Sequence, residues 1–119
     1  MHAINTDLSR NRITITLEGV LSLAEVKQIY GEIARAIKPL RPGFGCITMI
    51  AGMKTSSTEV AEEVAKVQAM LHSAGMGQVV RVVGSKVAAM QMERTGQESG
   101  YGARAVATES EAHALLDAG

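Results

Sequence analysis

Three times in this chain a Ser or Thr is followed, three residues later, by a Glu, and each time an apolar stretch comes next: Ser22–Glu25, Ser56–Glu59 and Thr108–Glu111. This is the spacing of a capping box, in which the hydroxyl takes a free backbone N–H of the first helical turn and the Glu reaches back to the cap's own N–H. Each box follows a β-type run, so the chain reads as strand, cap, helix, repeated. A chain punctuated in this way is confined to the α/β class, because a helix between consecutive strands forces them parallel, with right-handed crossovers.

The strands can be placed from periodicity. Ile13, Ile15 and Leu17 alternate with Thr14, Thr16 and Glu18, which predicts a strand over Asn11–Glu18 with one buried face. Ala3–Leu8 can pair with it as a short antiparallel partner across a Ser9-Arg10-Asn11 turn. Phe44–Ile50 is the most continuous apolar run, the pattern of a strand buried on both faces in the middle of a parallel sheet. Gln78–Val83 and the lighter Ala103–Thr108 complete a set of about five strands.

Four helices are expected between and after them. Val26, Ile29, Ile33 and Ile37 recur at helical spacing from Ser22 until Pro39 and Pro42 end the run. Val60, Val64, Val67 and Leu71 form the stripe of a second helix, capped by Ser56 and stopped near Gly75 and Gly77. A weaker helix spans Lys86 to about Arg94, a polar, glycine-rich loop follows over Thr95–Gly102, and Glu111–Asp117 is a short terminal helix. The expected fold is a mixed, mostly parallel sheet in chain order, with the first strand antiparallel at one edge. At 119 residues it forms one domain, residues 1–119.

Composition narrows the function classes. Twelve basic and 12 acidic side chains cancel, and Phe44, Tyr30 and Tyr101 are the whole aromatic set, so neither the charge nor the stacking surface for nucleic acid is present. No apolar run approaches the length of a membrane span, and the Met1–Thr6 start lacks the basic and apolar regions of a secretory signal. The lone Cys46 suits a reducing cytoplasm and reads as a core thiol rather than a nucleophile. His2, His72 and His113 lie in separate elements without ligand spacing, so no metal or other cofactor is expected. Gly84-Ser85-Lys86 is not a phosphate loop, because no glycine stands where the motif needs its first. No catalytic constellation shows itself, and the chain is not expected to be an enzyme.

Two features point to binding instead. Thr55-Ser56-Ser57-Thr58 puts four hydroxyls at a helix start beyond the carboxyl end of a central strand, where ligand and regulatory sites of parallel sheets lie. Their ordinary role is capping. Met70, Met76, Met90 and Met92 belong to a chain with seven Met, one Phe and no Trp; such thioethers usually fill a core, but they also line surfaces that accept partners. The light edge strand leaves apolar area that self-association as a homodimer would cover.

The order of elements resembles the STAS domains, the fold of the anti-sigma-factor antagonists, and its SpoIIAA-like branch in particular. The resemblance runs through the Gln78–Lys86 strand and helix start and the Ala105–Leu116 strand and terminal helix, and spans most of the chain as a pattern. It implies a bacterial regulatory domain that docks a protein partner without catalysis. In the antagonists, a Ser preceded by Asp at the matching helix start is phosphorylated by a partner kinase. The corresponding segment here is Lys54-Thr55-Ser56-Ser57, without the Asp, which makes Ser56, Ser57 and Thr58 the candidate regulatory residues. Related domains on the fold carry apolar ligands, and the four methionines are the candidate contacts for a ligand of that kind.

Overall fold

The computed structural model describes residues 1–52, 54, 57–87 and 104–118. Five strands form one sheet in chain order: β1 (His2–Asp7), β2 (Arg12–Leu17), β3 (Gly45–Met49), β4 (Val79–Val82) and β5 (Arg104–Val106). β1 is antiparallel to β2, from His2 opposite Leu17 to Asp7 opposite Arg12, and every later pairing is parallel. The apolar run in the middle of the sequence is indeed the central strand.

The described helices are α1 (Leu23–Ala36), α2 (Thr58–Ser73) and α3 (Glu109–Ala118). The helix expected from Lys86 to Arg94 and the loop after it fall, beyond the first two residues, outside the described residues. So do Met90 and Met92. α3 starts two residues earlier than the apolar pattern suggested, at Glu109, because Thr108 accepts the Glu111 N–H at 3.2 Å and so caps the turn ahead of the apolar residues.

The pleat divides the core in two. Ile13, Ile15, Leu17 and Cys46 face α1 and α2, where Val26, Ile29, Ile33, Val60, Val67 and Leu71 meet them. Ile47, Val80, Val82 and Val106 face the opposite way and pack beneath Ala112, Leu115 and Leu116 of α3. Successive residues of a strand point to opposite faces, so Cys46 and Ile47 belong to different cores although they are neighbours. Chain-order strands joined by right-handed crossovers put α1 and α2 on one face. α3, which joins no strands, closes the other.

The β1–β2 hairpin turns at Asn11, whose φ of 55° is left-handed. Its amide side chain donates to the Arg41 carbonyl at 3.1 Å and accepts the Arg41 N–H at 2.8 Å, which offsets the cost of that conformation.

Candidate functional site

Three loops leave the carboxyl ends of β2, β3 and β4; main-chain bonds tie the first two to each other and the third to the end of β5. Gly19 N–H donates to the Gly52 carbonyl at 2.8 Å, and Lys54 N–H donates back to the Gly19 carbonyl at 2.9 Å. Further along the edge, Val83 N–H donates to Val106 and Gly84 N–H to Ala107. Gly19 and Gly84 take φ values of 71° and 84°, which a side chain would penalise. Leu21 anchors the first loop in the core, while Val20 on the same loop is 65 % exposed. Val87, after β4, is 67 % exposed. Lys54, Ser57, Thr58, Ser85 and Lys86 are exposed along the same edge.

The start of α2 differs from the expected register. The cap is Ser57, not Ser56: Ser57 has extended backbone and its hydroxyl accepts the Val60 N–H at 3.3 Å. Neighbouring serines are chemically equivalent caps, so the Ser56–Glu59 spacing could not choose between them; the helix begins where Val60 can reach the core. Ser57 is therefore engaged as well as exposed, and Thr58 is the first helical residue. Glu59 in the first turn complements the positive end of the helix. Met53, Thr55 and Ser56 lie outside the described residues.

The first capping box is used only in part. Ser22 accepts the Glu25 N–H at 3.1 Å, but the Glu25 carboxylate is drawn to His2, 2.8 Å from Nδ1. The other ring nitrogen of His2 meets Glu32, so one imidazole bridges two carboxylates of α1. Both raise the His2 pKa above its ordinary value, with the Glu25 bond the largest cause, while His2 holds the Glu25 carboxyl below its own.

A second cluster lies under α3. Arg12, only 6 % exposed, donates from one terminal nitrogen to His113 Nδ1 at 2.8 Å and from the other to Asp117 at 2.7 Å. The Arg12 bond holds the Asp117 carboxyl below the ordinary carboxylate range. Neither cluster could be read from spacing, because each joins residues far apart in the chain. The one available signal was alternation, which turns Arg12 away from the face of Ile13's neighbours.

His2, His72 and His113 lie on β1, α2 and α3, and among the described residues no group of three metal-type side chains comes together. Cys46 is buried, and burial pushes its thiol up to about 11. Met70 and Met76 are half-buried against the α1–α2 core. Beside Met70, an open groove of about 720 Å³ runs between Tyr30 of α1 and Glu63 of α2. Beneath the same helices a partly open pocket of about 60 Å³ has room, at roughly 30 Å³ per water, for about two waters. No described helix is long and apolar enough to cross a membrane.

No family model matches the sequence, nor does any curated protein. Solved structures do match. The anti-sigma factor antagonist SpoIIAA in its unphosphorylated form superposes with a TM-score of 0.68 at 20 % identity, over 98 % of both chains. The fold is SpoIIAA-like. An uncharacterised DUF3478 protein from Shewanella loihica PV-4, itself described as having a SpoIIAA-like fold, aligns with a TM-score of 0.75 at 12 % identity, covering 98 % of this chain and 92 % of that one. At such identities the likeness extends to architecture, and the SpoIIAA-like sheet expected from the strand–cap–helix order is the one found.

Proposed function

We propose that this chain is a non-enzymatic regulatory domain of a bacterial cytoplasm that docks a protein partner through the carboxyl-edge loops and the start of α2. One observation carries the reading. Two strongly exposed valines, Val20 on the loop after β2 and Val87 in the helical turn after β4, lie to either side of the exposed Ser57–Thr58 helix start. Isolated exposed apolar residues need no explanation, but apolar side chains next to polar hydroxyls on a fixed edge suit a protein contact. The SpoIIAA-like architecture supports the same kind of role at the level of fold, from which function does not follow by itself.

Ser57 is the residue we take to be switched, with Ser56 and Thr58 as its neighbours in the hydroxyl run. A phosphoryl group at a helix N-terminus is favoured by the free N–H groups and the dipole, so it would alter the docking surface without unfolding the helix. The apolar-ligand reading has less support: the pocket of about 60 Å³ between the helices and the sheet is too small for a lipid chain, and the groove of about 720 Å³ beside Met70 is open and flanked by Lys27, Glu63 and Lys66.

The test compares proteins captured from the native organism by the wild type, Ser57→Asp, Ser57→Ala, Val20→Asp/Val87→Asp, and Tyr30→Asp on the far side of α1. A partner retained by the wild type, Ser57→Ala and Tyr30→Asp but lost by Ser57→Asp and the double variant supports the proposal. Ser57→Ala should cost about 1 kcal/mol of stability through the lost cap. A partner held equally by all five proteins would refute the assignment of the surface.

A further inference from the structure

The strand at the edge of the sheet is held by very little. Along β1 the side chains of Ala3, Asn5, Thr6 and Asp7 are exposed, and Ile4 is the member that packs, half-buried, against the core. Apart from the ladder to β2 and the exposed Met1 ammonium just ahead of the strand, that leaves His2. Its side chain is 12 % exposed and lies between Glu25, 2.8 Å from Nδ1, and Glu32 at Nε2. A carboxylate oxygen accepts and cannot donate, so both ring nitrogens satisfy their partners only when both carry a proton. In neutral imidazole one nitrogen has a bare lone pair, which would face a carboxylate.

We propose that His2 is a protonation-controlled clamp: as imidazolium it docks β1 on α1 through Glu25 and Glu32, and on losing its proton it lets the edge strand go. Release turns β2 into the sheet edge and bares a row of main-chain donors and acceptors from Arg12 to Leu17, a surface on which another strand can add. This surface lies at the opposite edge of the sheet from β5 and is independent of the loops around Ser57.

The charged groups facing His2 set the pH range. From α1 they are Glu25 and Glu32; from β1's own start the ammonium of Met1 also contacts Glu25, at 3.0 Å. Just after β2, Glu18 offers its carbonyl to that ammonium. The Glu18 side chain lies near Gly52, where a Cβ built on the glycine would be 3.4 Å away. His2 is raised above its ordinary value of 6.5, so the clamp's contribution is complete below that pH and is lost as pH rises through the raised value. Glu25 is lowered from 4.5, so its contribution is present above that pH and is lost as pH falls through the lowered value. The clamp therefore holds in a band between the lowered Glu25 value and the raised His2 value, and opens above the latter.

Hydrogen exchange on the whole chain between pH 6 and 9 tests this, with β1 amide protection taken relative to the central β3 amides. The ratio should fall as pH rises from 6.5 through the raised His2 value, by at most about tenfold per pH unit, and level off above it. In His2→Gln, and separately in Glu25→Gln/Glu32→Gln, β1 should already be poorly protected at pH 6 and the ratio should stay flat. His113→Gln, in the cluster under α3, should behave as wild type. A constant ratio in the wild type overturns the clamp, as does a fall of β1 and β3 protection in parallel. So does an unchanged pH profile in the His2 variant. If a variant does not fold, the wild-type series and His113→Gln still decide the question.

Discussion

Gly84 offers a quantitative test of how tightly the carboxyl-edge loops are fitted. Its φ is 84°, and a Cβ placed on it would lie 3.0 Å from the Cβ of Ala51 in the neighbouring loop. A left-handed L-residue costs about 1–2 kcal/mol, and inserting a methyl where there is no room adds about 1–3 kcal/mol. Ala51 is exposed and can yield by a few tenths of an ångström, so the lower figure, about 1 kcal/mol, applies to the overlap. Gly84→Ala should then cost about 2–3 kcal/mol in total. Gly19→Ala separates the two contributions. Its φ is 71° but a Cβ there meets nothing within 4 Å, so only the backbone cost, about 1–2 kcal/mol, remains. Removing the obstructing methyl by Ala51→Gly should rescue Gly84→Ala, making the double variant about 1 kcal/mol more stable than the sum of its parts. Urea unfolding of the four proteins, with equal m-values, measures the cycle. If Gly84→Ala proves no worse than Gly19→Ala, and the coupling is below about 0.3 kcal/mol, the loops are not in close contact and the argument for a fixed edge fails.

Two further outcomes are expected. Cys46 should resist alkylation in the folded protein at pH 8 and react at once in urea, since burial pushes the thiol up to about 11; rapid labelling of the native state would show that the central strand opens readily. Under α3, Arg12→Met should be the milder change and Asp117→Asn the more damaging one. The first removes a buried charge whose partners can turn to water, whereas the second leaves the guanidinium buried with less support. Because Arg12 holds the Asp117 carboxyl low, the wild type should lose its advantage over Asp117→Asn as pH falls through that lowered value. Urea midpoints at pH 7 and pH 3 check both the order and the sign, and the reverse order at pH 7 would count against this account of the Arg12–Asp117 pair.

Much of the architecture could be read before any coordinates, for reasons that differ by element. Alternation in β2 and unbroken apolarity in β3 report how many faces of a strand are covered, so sequence alone separated a partner of the edge strand from the centre of the sheet. Capping hydroxyls mark where helices begin, but a run such as Ser56-Ser57-Thr58 offers several equivalent starts. The one used, Ser57, depends on where Val60 meets the core. The capping-box spacing at Glu25 was present, yet its carboxylate is bound to His2, 23 residues away. The Arg12–Asp117 bond spans 105 residues. Periodicity describes a residue's relation to its own strand or helix and is silent about which distant charge it meets. For that reason the fold was legible while both charged clusters were not.

The bonds that join Gly19, Gly52 and Lys54, and those that tie Val83 and Gly84 to the strand beyond, run between main-chain atoms only. Such bonds are indifferent to the side chains around them. Val20 and Val87 could thus be exchanged for other residues without dismantling the frame that presents them. A scaffold of this kind separates the address from the envelope: the exposed positions can be rewritten while the strands and crossovers stay where they are. Structures that superpose at TM-scores of 0.68 and 0.75 with 20 % and 12 % identity fit that freedom. For an engineer, the carboxyl edge is the place to graft a new recognition surface, provided the left-handed glycines are kept.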